Sequence, residues 1–230
     1  MPQYVIYHGS QYVINKPALG MGNPRNDYGS GFYCTRIIDL AKEWACTEER
    51  DGYANTYTLE TNGLKVCRLS GDEYNILNWL ALLLQNRYFR ISNNIAGNAK
   101  DYLISKFLPD VTDVDVIVGY RADDSYFSFA NSFINSLLSL EQLENAMHLG
   151  ELGEQTVLMS EKAFSQIRFE GFSLADKKNY YPKKAARDRN ARQAYKEQRS
   201  LQQILEAVYI FDILREGWDN NDARLRRNIP

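Results

Sequence analysis

Histidine is almost missing from this chain: 230 residues contain two, His8 and His148. Cysteine is nearly as scarce, and Cys34, Cys46 and Cys67 form an odd set without metal-ligand spacing. That scarcity argues against a zinc finger, a histidine-rich metal centre or a disulfide scaffold, each of which needs paired ligands or thiols. The adjacent carboxylates Asp123 and Asp124 are too few to cage a hard cation. No metal is therefore expected. Long apolar runs are absent too: Trp79 to Leu84 is the longest, far short of the roughly 20 residues that span a bilayer. Met1 to His8 carries neither a basic n-region nor an apolar h-region, so the expectation is a soluble, cytoplasmic protein with no membrane partner. Gly20, Gly22, Gly29 and Gly31 form neither a P-loop nor a dinucleotide fingerprint. A net charge of −2 excludes a chain that is a polycation throughout.

What is abundant is tyrosine, with 16 residues offering flat rings and hydroxyls for cores and ligand sites alike. Tyr4 to Tyr7 reads as a strand that ends in His8-Gly9-Ser10. Residues 15–31 are a loop rich in glycine, proline and asparagine, followed by a strand over Phe32–Thr35 and an amphipathic helix over Ile38–Thr47. Thr56–Glu60 and Leu64–Leu69 read as two strands joined by a turn at Thr61-Asn62-Gly63. Helices are predicted over 72–90, 94–107 and 126–138. Another is predicted from Ser139, which with Gln142 makes a capping signature. Strands are predicted over 114–119 and 155–159, with a short helix over 160–166. Short strands and helices without a regular βαβ rhythm make an α+β fold. The composition shifts near residue 170, so the chain divides into a domain over 1–170 and a basic, helical extension over 171–230. The extension carries a helical pattern over Leu201–Leu214.

His148 sits near the end of a predicted helix, where the dipole favours a cationic ring and a structural role is enough. His8 differs, because it closes a strand and Gly9 then allows close approach to the backbone. Taken by itself, the triplet equally describes a turn that contains a histidine. A second element follows: Asp27-Tyr28-Gly29-Ser30-Gly31-Phe32-Tyr33-Cys34-Thr35, then Ala41-x-x-Trp44-Ala45. A third runs from Asp115 to Phe127, and a fourth from Glu154 to Ala163. In this order and spacing the four segments resemble the ADP-ribosyltransferase superfold. The likeness is to a bacterial domain-of-unknown-function family distantly similar to the diphtheria-toxin and poly-ADP-ribose-polymerase branch, and it covers residues 4 to 172.

The resemblance implies a split β-sheet core with flanking helices, and NAD as co-substrate. It implies that His8 hydrogen-bonds the adenosine-side ribose, that Gly9 offers its backbone to the nicotinamide carboxamide, and that Ser10 orders the strand end. Tyr33, or Tyr28 before it, would stack on the nicotinamide. The third position of the superfold falls at Gln155, with Glu154 as rival. Glutamine can orient a ribose hydroxyl but cannot act as a base, which would leave Glu154, Asp123 or Asp124 to supply one. Asp123 and Asp124 are either a surface turn or cleft residues that contact substrate. Breaking the nicotinamide glycosidic bond generates an oxocarbenium-like centre, so stacking, orientation and a nearby negative charge suit the reaction.

The segment Lys177–Arg199 holds nine Lys or Arg against two acidic residues, with Tyr180, Tyr181 and Tyr195 interleaved. It is either a solvated face or a docking surface for RNA, DNA or an acidic protein such as an antitoxin. Lys183, Lys184 and Arg187 are its candidate acceptor contacts. The expected activity is mono-ADP-ribosyl transfer to a protein or nucleic acid, in a bacterial effector, toxin or defence enzyme. An NAD glycohydrolase and a non-catalytic module that binds NAD, ADP-ribose or nucleic acid are the alternatives.

Overall fold

The computed structural model describes residues 3–91, 93–122, 124–148, 153–201 and 207–226. These residues form an α+β fold with one mixed sheet of seven strands and eight helices. The strands are β1 (Gln3–Ser10), β2 (Phe32–Thr35), β3 (Gly52–Glu60), β4 (Val66–Arg68), β5 (Val116–Tyr120), β6 (Glu154–Leu158) and β7 (Ile167–Ala175). Their order across the sheet is β4-β5-β6-β2-β1-β3-β7, with β4 and β5 parallel and every other pair antiparallel. The helices are α1 (Ile38–Ala45), α2 (Ile76–Asn86), α3 (Asn94–Phe107), α4 (Asp124–Ile134), α5 (Leu140–His148), α6 (Glu161–Ser165), α7 (Lys177–Leu201) and α8 (Ile210–Glu216).

Local chemistry explains several boundaries. Helix α2 begins later than predicted because Asn75 and Asn78 form a reciprocal capping box ahead of its apolar run. The predicted box at α5 is present: Ser139 N–H donates to Gln142 Oε1 at 3.0 Å, and Gln142 N–H donates to Ser139 Oγ at 3.2 Å. The expected pairing of β3 with β4 is not found. The chain does turn at Asn62-Gly63, but β4 lies at the far edge of the sheet beside β5. Asp115 secures it there, its carboxylate accepting from Lys65 N–H at 2.8 Å. The last strand, β7, runs through residue 170, so the sheet continues past the expected boundary between domain and extension. The pattern over 201–214 is not one helix either: residues 202–206 lie outside the described residues, 207–209 belong to no helix, and Tyr209 precedes a new helix, α8.

The larger core packs α2, α3, α4 and α5 on one face of the sheet through Trp79, Leu80, Leu103, Phe107 and Phe133, all fully buried. The other face buries Ile6, Tyr57, Leu59 and Leu158 under α6. What matters for function is the join between β1 and β2. β1 pairs with β3 at eight register positions but with β2 at a single one, Tyr7 opposite Thr35. Beyond that pair the two strands part, and the sheet has an open seam.

Candidate functional site

The seam leads into a cavity of about 350 Å³, within the range usual for small-molecule sites. β1 contributes His8 and Gly9, β2 contributes Tyr33, and β6 contributes Gln155. The β1–β2 loop adds Asn26 and Asp27, α1 adds Glu43 and Trp44, and α7 adds Lys184, Arg187 and Asp188. Arg87, Arg121 and Tyr126 complete most of the lining.

His8 stands where the ladder between β1 and β2 gives out. Its Nδ1 lies 2.6 Å from the Tyr33 carbonyl oxygen, and its ring stacks on Phe32 at 4.3 Å. A carbonyl only accepts, so Nδ1 carries the proton. Burial pushes the His8 pKa down, partly opposed by the Tyr33 carbonyl, so the ring is neutral near pH 7. Nε2 is then an unprotonated acceptor, suited to a ligand hydroxyl or amide N–H.

Tyr33 and Tyr28 divide their work. The Tyr33 hydroxyl donates to Gly29 C=O at 2.7 Å and accepts from Tyr28 N–H at 2.9 Å, which fixes a half-buried ring on the cavity wall. Burial raises the pKa of that hydroxyl, so it stays protonated. Tyr28 lies behind it, with ring centroids 6.5 Å apart, and is itself buried. Its hydroxyl donates to Tyr120 C=O at 2.6 Å. Gly119 makes room for that hydroxyl, since a Cβ there would come within 2.5 Å of it. Tyr33 is thus the ring that faces the cavity, and Tyr28 packs behind it.

Asp27 and Gln155 form the polar centre. Asp27 Oδ1 is 2.9 Å from Arg87 Nη1, and its Oδ2 accepts from Ala122 N–H and from Gln155 Nε2, each at 2.9 Å. Gln155 Nε2 also donates to Tyr120 C=O at 3.1 Å. Arg87 follows the last turn of α2 and donates as well to Ala122 C=O at 2.8 Å, closing a loop between three chain segments. Elsewhere in the lining Glu43 is buried and held by Arg187, Nε to Oε2 at 3.0 Å and Nη2 to Oε1 at 2.9 Å. The Arg121 guanidinium lies 3.6 Å from the centre of the Trp44 ring, a cation–π stack beside them.

A family model described as Protein of unknown function (DUF3990) matches residues 4–169. The chain belongs to that family. No curated protein and no solved structure matches it. The DUF3990 span takes in His8, Tyr33 and Gln155 but ends before α7. The wall made by Lys184, Arg187 and Asp188 therefore lies outside the matched segment.

The remaining sequence expectations sort by position. Glu154 projects to the other face of β6, where Arg68 Nη1 meets its Oε2 at 2.8 Å and Ser70 hydrogen-bonds its Oε1. It takes no part in the cavity, because adjacent strand residues face opposite ways. Gly9 lines the cavity, and packing also requires a glycine there: a Cβ would collide with the Ala41 carbonyl of α1. Ser10 turns to the loop, accepting from Tyr12 N–H at 3.1 Å. Lys184 and Arg187 line the cavity, whereas Lys183 is exposed beside the Tyr180 ring. Asp123 and the side chains of Asp124 and His148 lie outside the described residues. Among the described residues no group of three His, Cys, Asp or Glu is placed to hold a metal, and no helix is long and apolar enough to cross a membrane.

The sequence reading did not assign roles to Asp27, Trp44, Arg87 or Arg121. The first two and the last stood inside the quoted motifs, so a signal existed. Arg87, which reaches Asp27 from a different element, left none.

Proposed function

We propose that this protein binds NAD and transfers its ADP-ribose to a macromolecular acceptor. The observation that carries the reading is that His8, Tyr33 and Gln155, distant in the chain, line one cavity at the sheet seam. Each matches a position to which the sequence resemblance attaches an NAD contact. The local chemistry agrees with those contacts. A neutral His8 with Nε2 as acceptor suits a ribose hydroxyl, and the fixed Tyr33 ring suits a stacked nicotinamide. Lys184 makes no ion pair among the described residues and is a cation available to the pyrophosphate.

Cleavage of the nicotinamide–ribose bond leaves positive charge on the sugar, which the Gln155 carbonyl oxygen and the Asp27 carboxylate behind it favour. Asp27 is ion-paired with Arg87, Glu43 with Arg187 and Asp188 with Arg192. Asp27 and Glu43 are thus committed to an arginine, whereas the Asp188–Arg192 pair, with side chains 36% and 45% exposed, holds Asp188 only weakly. Favouring positive charge on the sugar suits a dissociative course, in which the bond to nicotinamide breaks first and the acceptor's nucleophile then attacks the anomeric carbon and releases its proton to solvent.

The test uses NAD labelled in its adenylate phosphate, purified protein and a cell extract. Label should move to a macromolecule, and its loss to nuclease or to protease names the acceptor class. His8→Ala and Tyr33→Ala should each reduce labelling at least tenfold at a temperature at which their melting curves show both variants still folded. Free ADP-ribose without labelled macromolecule would replace transfer by hydrolysis. Intact NAD in every extract would leave a binding module.

A further inference from the structure

Gln155 is 3% exposed, so the orientation of its amide is set by its neighbours. One end of that amide sits between Asp27 Oδ2 at 2.9 Å and Tyr120 C=O at 3.1 Å. Both partners accept. An amide oxygen placed between them would face two lone-pair donors, so the nitrogen must occupy that end with both of its protons used. Oε1 is left at the other end, on a residue that lines the cavity, with no protein donor among the described residues.

The Asp27 carboxylate is itself over-determined. Arg87, Ala122 N–H and Gln155 converge on it, so it can neither rotate nor exchange partners without leaving a buried donor unsatisfied. We propose that Asp27 is the positioning residue of this cavity. Its carboxylate locks the Gln155 amide so that Oε1, and not the NH₂ group, is offered to the bound ligand. The ligand must then present a hydroxyl or an N–H at that point, as a ribose or a carboxamide does. The identity of that ligand rests on the NAD reading; the Asp27–Gln155 lock does not.

The lock also dictates why position 155 is an amide. A glutamate there would put carboxylate oxygen against Asp27 and the Tyr120 carbonyl, so one acid would have to stay protonated or the pair would separate.

The experiment has two arms. In the first, thermal melting is followed from pH 5 to pH 8 for wild type, Gln155→Glu, Asp27→Asn and the double variant. Gln155→Glu should melt several degrees below wild type at pH 8 and recover as the pH falls and one acid takes up a proton. At pH 8 the double variant should melt higher than the sum of the two single changes requires, because the amide then at position 27 can donate to the carboxylate then at position 155. Gln155→Glu melting like wild type at pH 8, or purely additive changes, would overturn the lock.

The second arm measures NAD affinity by calorimetry. Gln155→Ala and Asp27→Ala should each weaken binding roughly tenfold, with the double variant no worse than either alone. Asp27→Asn, whose Oδ1 can still accept from Gln155, should recover part of that loss, which a merely structural Asp27 would not predict. Additive losses would overturn the positioning role. If wild type does not bind NAD, the proposed function falls, and the melting arm alone decides the lock.

Discussion

On one face of β6, Gln155 is buried against a carboxylate that three donors hold. On the other face its neighbour Glu154 makes an ion pair with Arg68, their side chains 35% and 48% exposed. The contacts share a strand and differ in solvent. Around Asp27, whose side chain is 9% exposed, and Gln155, 3% exposed, the polar atoms have lost most of their water, so a missing partner there costs free energy. On the outer face water stands ready to replace whatever is removed, and ion pairs there contribute little. Only the first arrangement can hold a side chain in a single orientation for a ligand, and it follows that the residues worth altering lie around Asp27.

The sharpest break of the comparison is Arg87→Ala. It leaves the Asp27 carboxylate, 9% exposed, without its counter-ion. It also removes the hydrogen bond to Ala122 C=O and the stack of the guanidinium on Phe127, 4.5 Å from the ring centre. Such a stranded charge costs about 3 kcal/mol. Urea unfolding should show that loss as a lowered midpoint. A change of less than about 1 kcal/mol would mean that the cavity is as wet as the outer face.

Glu144 on α5 sharpens the comparison through pH. Burial, with Glu141 nearby, raises its carboxyl pKa from the ordinary 4.5 to about 7. Between those values the folded protein holds more protons than the unfolded chain, so stability falls as pH rises through that window and levels off above it. Glutamine cannot ionise. Glu144→Gln should therefore be the more stable protein above pH 7, by about 1 kcal/mol once solvent screening of this half-buried group is allowed for. Below pH 4.5 the two proteins should melt alike. A difference that persists at low pH would assign the gain to packing instead.

How far this contrast was legible beforehand depends on how local each signal is. The loop before Phe32 and the capping pair Ser139–Gln142 are written within a few consecutive residues and stand where expected, whereas the strand expected to close at His8 runs on through Ser10, because β3 pairs with it at His8, Gly9 and Ser10. The pairing of β4 with β5 is not written locally, because the turn at Asn62-Gly63 fits a hairpin equally well. Nor was the Asp27–Arg87 pair, which joins a loop to the end of α2. The basic helix α7 was half legible. Arg187, Ala191 and Tyr195 recur every fourth residue, and this spacing marks an inward face. Charge counting averages it away, yet Arg187 docks on Glu43 and Ala191 is buried. The choice between Glu154 and Gln155 reduced to strand parity, and one register error reverses every face.

That parity gives the smallest effect and the cleanest control. Glu154→Gln removes the charge from the outer-face pair while Ser70 and solvent still satisfy the side chain. An exposed pair of this kind contributes at most about 0.5 kcal/mol, and less in salt. Urea midpoints and NAD affinity should both match wild type within error. The value of the variant lies in its neighbour: Gln155→Ala, one residue along the same strand, should lose ligand affinity with the sheet intact. If Glu154→Gln proved to be the damaging change and Gln155→Ala the silent one, the two faces of β6 would exchange roles. The cavity at the seam would then not be the site.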